Sequence, residues 1–128
     1  MKDNGNENKL KDFYTEIEYK DKKYKLYFNL NVMEEIQNEY KTFDNWTDLV
    51  GGLDKKGNPR ETDIKALIFG FQAMLNEGID IQNEDEGTDI KFFTPKQVGR
   101  LITEIGLQEA NQKLMDTVVE STKNTKNA

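Results

Sequence analysis

Residues 62–78 read TDIKALIFGFQAMLNEG. Ile64, Leu67, Ile68, Phe71, Met74 and Leu75 recur in it at the three- and four-residue spacing of one wide apolar helix face. Thr62 or Asp63 stands where a side-chain oxygen caps the first free N–H groups, and Gly78 stands where a helix stops. At ~1.5 Å per residue such a helix is on the order of 20 Å long, and it is expected to be the central core helix. Ala66 and Gly70 are small and four residues apart, so another element can approach closely there. Tight packing within the domain accounts for that pair most simply. Phe69 falls off the main face.

Upstream, residues 13–28 alternate as a β-hairpin. Aromatic residues at period two (Tyr24, Leu26 and Phe28 against Lys25, Tyr27 and Asn29) suit a half-buried pleated surface. Asp21-Lys22-Lys23 is the expected turn. Asn31 then reads as a helix cap with Glu34 as its capping-box partner, and Val32 or Met33, Ile36 and Tyr40 share a face. A second short helix has Asp44 as cap and Trp46, Leu49 and Val50 turned inward, with Gly51-Gly52 ending it. Residues 54–60 form a polar loop.

Downstream, residues 79–93 read either as a second hairpin around 82–89 or as an ordered loop with a disordered acidic tip. Thr94-Pro95 opens another helix, with Thr94 as cap and Pro95 at the first helical position. Val98, Leu101, Ile102 and Ile105 form its apolar face, Gly106 breaks it, and a last helix starts near Leu107 with Ala110, Leu114 and Val118 inward. The expected fold is α+β and mainly helical, an N-terminal β-hairpin followed by four or five packed helices. One domain spans residues 13–120. The polar stretches 1–12 and 121–128 are expected to be disordered and flexible tails.

Composition narrows the function. The 128 residues contain no cysteine and no histidine, which excludes disulfides, thiolate chemistry and the commonest general base and metal ligand. The net charge of −6 argues against a nucleic-acid partner, whose phosphates call for lysine and arginine. Lys20, Lys22, Lys23 and Lys25 cluster around the hairpin turn, where they read first as a solvated edge and second as a phosphate or membrane patch. No apolar run approaches the ~18 residues of a membrane span, and no apolar stretch follows Met1-Lys2-Asp3-Asn4, so the cytoplasm is the expected compartment.

Chemical motifs are scarce. Asp80, Glu84, Asp85, Glu86 and Asp89 lack the ligand order and central glycine of a calcium loop. Glu34-Glu35 is the other dense carboxylate pair. Glu34 is accounted for by capping, and Glu35 lies with Glu39 on a charged helix face. Gly51, Gly52 and Gly57 do not make a phosphate loop. No catalytic residue, metal or cofactor is expected. What remains is apolar surface. Phe43, Trp46, Phe69, Phe71, Met74, Phe92, Phe93 and Leu101 are the candidate partner-binding residues. Met33, Met74 and Met115 offer an adaptable surface, or fill gaps in the core. Excess apolar surface also leads us to expect self-association.

The order of these segments carries a resemblance. LYFNLNVMEEIQNEY (26–40), FDNWTDLV (43–50), ALIFGFQAMLNEG (66–78) and TPKQVGRLI (94–102) are similar to the tail assembly chaperones of long-tailed bacteriophages and prophages, over roughly residues 15–114. The resemblance implies a non-catalytic protein of the host cytoplasm that binds the tape measure protein, a long helical chain with apolar segments. It implies that the protein keeps that chain soluble, helps tail-tube subunits assemble around it, and is absent from the mature virion. In many such phages a translational frameshift appends a second domain, and residues 121–128 are where one would attach. An unrelated cytoplasmic adaptor or regulator is the competing reading, and a small carboxylate or metal-dependent enzyme is the third.

Overall fold

Lys20 and Asp21 both adopt positive φ, 52° and 65°, and close a two-residue turn between strands β1 (Thr15–Tyr19) and β2 (Lys22–Leu26). Two left-handed residues give the turn whose twist matches an antiparallel pair. The turn therefore sits one residue earlier than the expected Asp21-Lys22-Lys23. The register explains the shift. With Tyr19 opposite Lys22, Ile17 faces Tyr24 and Thr15 faces Leu26, while Glu16 faces Lys25 and Glu18 faces Lys23. Apolar side chains share the inner face, and opposite charges pair on the outer one. Lys25 also lies 4.5 Å from the Tyr14 ring centre and Lys20 5.4 Å from that of Tyr19.

The computed structural model describes residues 13–52, 54 and 56–127, with side chains as far as Lys123; the polar stretch 1–12 lies outside them. Five helices follow the hairpin: α1 (Leu30–Tyr40), α2 (Phe43–Gly51), α3 (Ile64–Glu86), α4 (Pro95–Ile105) and α5 (Leu107–Asn127). The fold is α+β and mainly helical.

The caps differ in part from those expected. Asn29, not Asn31, caps α1, its side chain accepting from the Val32 N–H at 3.2 Å. Thr42, not Asp44, caps α2 by accepting from the Asn45 N–H. Asp44 instead places a negative charge in the first turn, where the helix dipole favours it. Asp63 caps α3 and Thr94 caps α4, the latter in a full capping box with Gln97 and with Pro95 in the first turn. Gly106 separates α4 from α5. That last helix continues past Ser121, which is 4% exposed, so the expected flexible tail begins as helix.

The largest departure concerns Gly78. It does not stop α3, which runs eight residues further to Glu86 and ends at Gly87 in the left-handed conformation. Residues 79–86 are thus helix, neither strand nor loop. Gly78 serves a different end. A Cβ there would lie 2.0 Å from the Lys25 carbonyl oxygen, so its absence lets β2 rest directly on α3. Just beyond the strand, the Tyr27 N–H donates to the Met74 carbonyl at 3.2 Å. About two turns earlier, Gly70 does the same for α2. A Cβ there would meet the Trp46 ring at 2.2 Å. The indole lies in that notch and its Nε1–H donates to the Ala66 carbonyl at 3.0 Å.

Residues 87–93 return along α3 as an extended strap with no strand partner. Amides on α3 hold it. Asn83 accepts from the Ile90 N–H and donates to its carbonyl, and Asn76 does both for Phe93. Gln72 donates to the Phe93 carbonyl as well. The strap seats Phe93 against Tyr24 (5.3 Å between ring centres, edge-on) and Tyr19 (6.3 Å). Helix α3 contacts β2 and all four other helices, and α5 closes the far side through Thr15 Oγ1–Thr117 Oγ1 (2.6 Å) and a bond from Asn111 to the Val50 carbonyl.

Alanine is a better helix former than glycine by about 1 kcal/mol. At Gly70 and Gly78 that gain is overridden. Gly70→Ala and Gly78→Ala are expected to lower stability by about 1–3 kcal/mol in urea unfolding, with Gly78→Ala the worse because it meets backbone. Gly51→Ala meets nothing within 4 Å and is expected to leave stability unchanged or raise it.

Candidate partner-binding groove

Burial divides the eight candidate residues. Trp46, Phe71, Met74 and Leu101 have no exposed surface and belong to the core. A side chain without exposed atoms cannot meet a partner in this conformation, so these four are structural. Phe43 is half-buried between Phe28 and Trp46, with ring centres 5.5 and 5.7 Å away. Phe69 is half-buried and packs edge-on to Tyr40 at 5.5 Å. Phe93 is held by the strap. Phe92 alone is open, at 56% exposure. The eight do not form one surface. Met33 and Met115 are partly buried against the core.

A different set does come together. Ile64, at the start of α3, and Leu107, at the start of α5, remain 48% and 47% exposed. Between them lies a groove of about 420 Å³. Ile64, Leu67 and Ile68 of α3, Gly99 and Ile102 of α4, and Leu107 supply its apolar lining. Lys96, Arg100 and Thr103 of α4 complete its wall. A second depression of about 440 Å³ meets it at Leu107 and continues along α5 to Met115. Gly106 alone separates α4 from α5, and Leu107, the first residue of α5, lines the groove with Ile64 of α3.

Sequence reading put Ile64 and Ile68 on the inward face of α3. The signal it did not weigh was Gly99, a glycine inside an otherwise strongly amphipathic helix, flanked by Lys96 and Arg100 one turn apart.

Neither a family model, nor a curated protein, nor a solved structure matches the chain.

The carboxylates are spread out. Among the described residues no group of three histidine, cysteine, aspartate or glutamate side chains is placed to hold a metal ion. Asp80 and residues 84–86, candidates for an acidic loop, are on α3. Among the described residues, the one raised carboxyl is Glu35. Partial burial, then the Glu77 carboxylate, then that of Glu34 push it above the ordinary glutamate range. Glu77 in turn accepts from the Asn29 and Asn31 amides, at 2.7 and 3.1 Å, which ties α1 to α3. Burial, with Asp63 and Glu39 nearby, similarly raises the Tyr40 hydroxyl. Asp54 is lowered, since backbone N–H groups of Asn58 and Lys56 both donate to it.

Phe71→Ala should cost about 3–5 kcal/mol, the usual loss for a large buried aromatic. Phe92→Ala should cost less than about 0.5 kcal/mol, as for an ordinary surface site. Chemical denaturation of the two variants checks both. The Glu35 sign also follows. A carboxyl raised in the folded state favours folding below its unfolded value, 4.5, and that contribution is lost as pH rises through the folded value. Glu35→Gln is therefore expected to melt above the parent at pH 7, with the difference closing as pH falls below about 4.

Proposed function

We propose that this chain is a non-catalytic binding protein that shields an apolar helical segment of a larger partner. Its closest functional description is a phage tail assembly chaperone. In that role the partner is the tape measure protein, the tail-tube protein is a further contact, the site of action is the host cytoplasm, and the chaperone leaves before the virion is complete.

The observation that carries the reading is the groove. Ile64 and Ile68 of α3, Ile102 of α4 and Leu107 of α5 line it together, and Ile64 and Leu107 remain about half exposed. Contiguous exposed apolar surface rimmed by polar groups is the common mark of a protein partner. A concave strip between helices suits an amphipathic helix. The resemblance of residues 26–40, 66–78 and 94–102 to the tail chaperones supports the more specific description. No helix among the described residues is long and apolar enough to cross a membrane.

Co-expression tests the proposal. A tape measure protein co-expressed with this chain is expected to stay soluble and to co-purify with it. A partner that stays insoluble, with nothing retained on the tagged chain, would remove the chaperone description and put the adaptor reading in its place.

A further inference from the structure

Gly99 occupies the fifth position of α4, an eleven-residue helix. Glycine inside a helix is less favourable than alanine, so a helical glycine calls for a reason. For Gly70 and Gly78 the reason is internal, because a Cβ would strike Trp46 or the Lys25 backbone. Gly99 has no such reason. A Cβ there would meet only the Ile68 Cδ1, at 3.7 Å, an ordinary contact. The fold has room for a side chain that the sequence does not supply. What the missing side chain leaves open is the groove, which Gly99 lines together with Ile68.

Charge distinguishes the occupants that would fit. Lys96 and Arg100 flank Gly99 on the groove wall, in a chain of net charge −6. Both are exposed, and among the described residues neither has a carboxylate partner. A second copy docked by a two-fold axis through the groove would set these cations against their own mates. An acidic flank answers them instead. The length of α4 is on the order of 16 Å, which matches about three turns of a helix lying along it.

We propose that Gly99 and the groove around it receive an amphipathic helix of another protein, which approaches closely at Gly99 and pairs acidic residues on its flank with Lys96 and Arg100. The assignment rests on the binding-protein reading and specifies the partner's chemistry. The occupant has apolar residues at i, i+3 or i+4, and i+7, with aspartate or glutamate beside the stripe one turn apart.

The test uses the full chain and a displayed library of 15-residue helical peptides. Their apolar stripe is fixed as Leu or Ile, and their flanking positions are randomised among Glu, Lys and Ser. The parent is expected to enrich Glu over Lys in the flank at least tenfold, and less so at high salt. The double variant Lys96→Glu, Arg100→Glu is expected to invert that preference. Lys96→Gln, Arg100→Gln should abolish it, a second check should the reversal perturb folding. Gly99→Ala should melt a few degrees above the parent, and Gly99→Leu should lose peptide binding at least tenfold while remaining folded. Failure to retain any peptide, the same flank preference in parent and reversed variant, or undiminished binding by Gly99→Leu would each overturn the assignment. A dimer that Gly99→Leu converts to monomer would overturn it too, by making a second copy the occupant. Co-expression with the tail partner separates the two proposals. If that partner is solubilised equally by the parent and by Gly99→Leu, the chaperone reading stands and the groove assignment falls.

Discussion

Two β-carbons that are missing from one helix determine how the rest of the molecule packs. At Gly78 the backbone of β2 rests on α3, and at Gly70 the indole of Trp46 does. Each contact brings a polar group to the helix backbone. The Tyr27 N–H reaches the Met74 carbonyl and the indole N–H reaches the Ala66 carbonyl. Burying those donors would otherwise cost the full desolvation of an unpaired group. Close approach and hydrogen bonding are therefore one constraint. With the hairpin and α2 held this near, α1 is carried in between, and Asn29 and Asn31 find Glu77.

Local rules made much of this legible. The α4 cap, Pro95 and Gly106 are short-range signals, and each operates as its chemistry dictates. The inward faces of α4 and α5 followed from period alone. Gly78 did not, because a glycine that ends a helix and a glycine that admits a neighbour are the same letter. Only the position of Lys25, fifty-three residues earlier, separates the two. The hairpin turn slipped by one for a related reason, since Lys20 is an unusual residue at positive φ and the pairing of the strands outweighs its preference.

The site was harder to read than the fold. Large aromatic residues attract attention as binding candidates, yet Trp46 and Phe71 are the centre of the core. Helix α3 is apolar on more than one side, so period cannot say which side faces a neighbour and which is left open. The groove depends on where α4 and α5 meet α3, a tertiary property. Its apolar residues are unremarkable individually: three isoleucines, two leucines and a glycine. The local hint is a glycine inside α4 beside two cations a turn apart, in an acidic chain.

The strap between α3 and α4 carries a consequence for length. Asn76 and Asn83 are seven residues apart on a helix, a rise of about 10.5 Å. Ile90 and Phe93 are three residues apart in extended chain, about 10 Å. The two spacings agree, so each asparagine meets both polar groups of its own residue and the amides stand in for the edge of a second strand. One heptad of helix is thus commensurate with three residues of extended chain. Connections on a protein surface ordinarily vary in length at little cost. This one is metered, and a single inserted or deleted residue between Ile90 and Phe93 would put the whole vernier out of step.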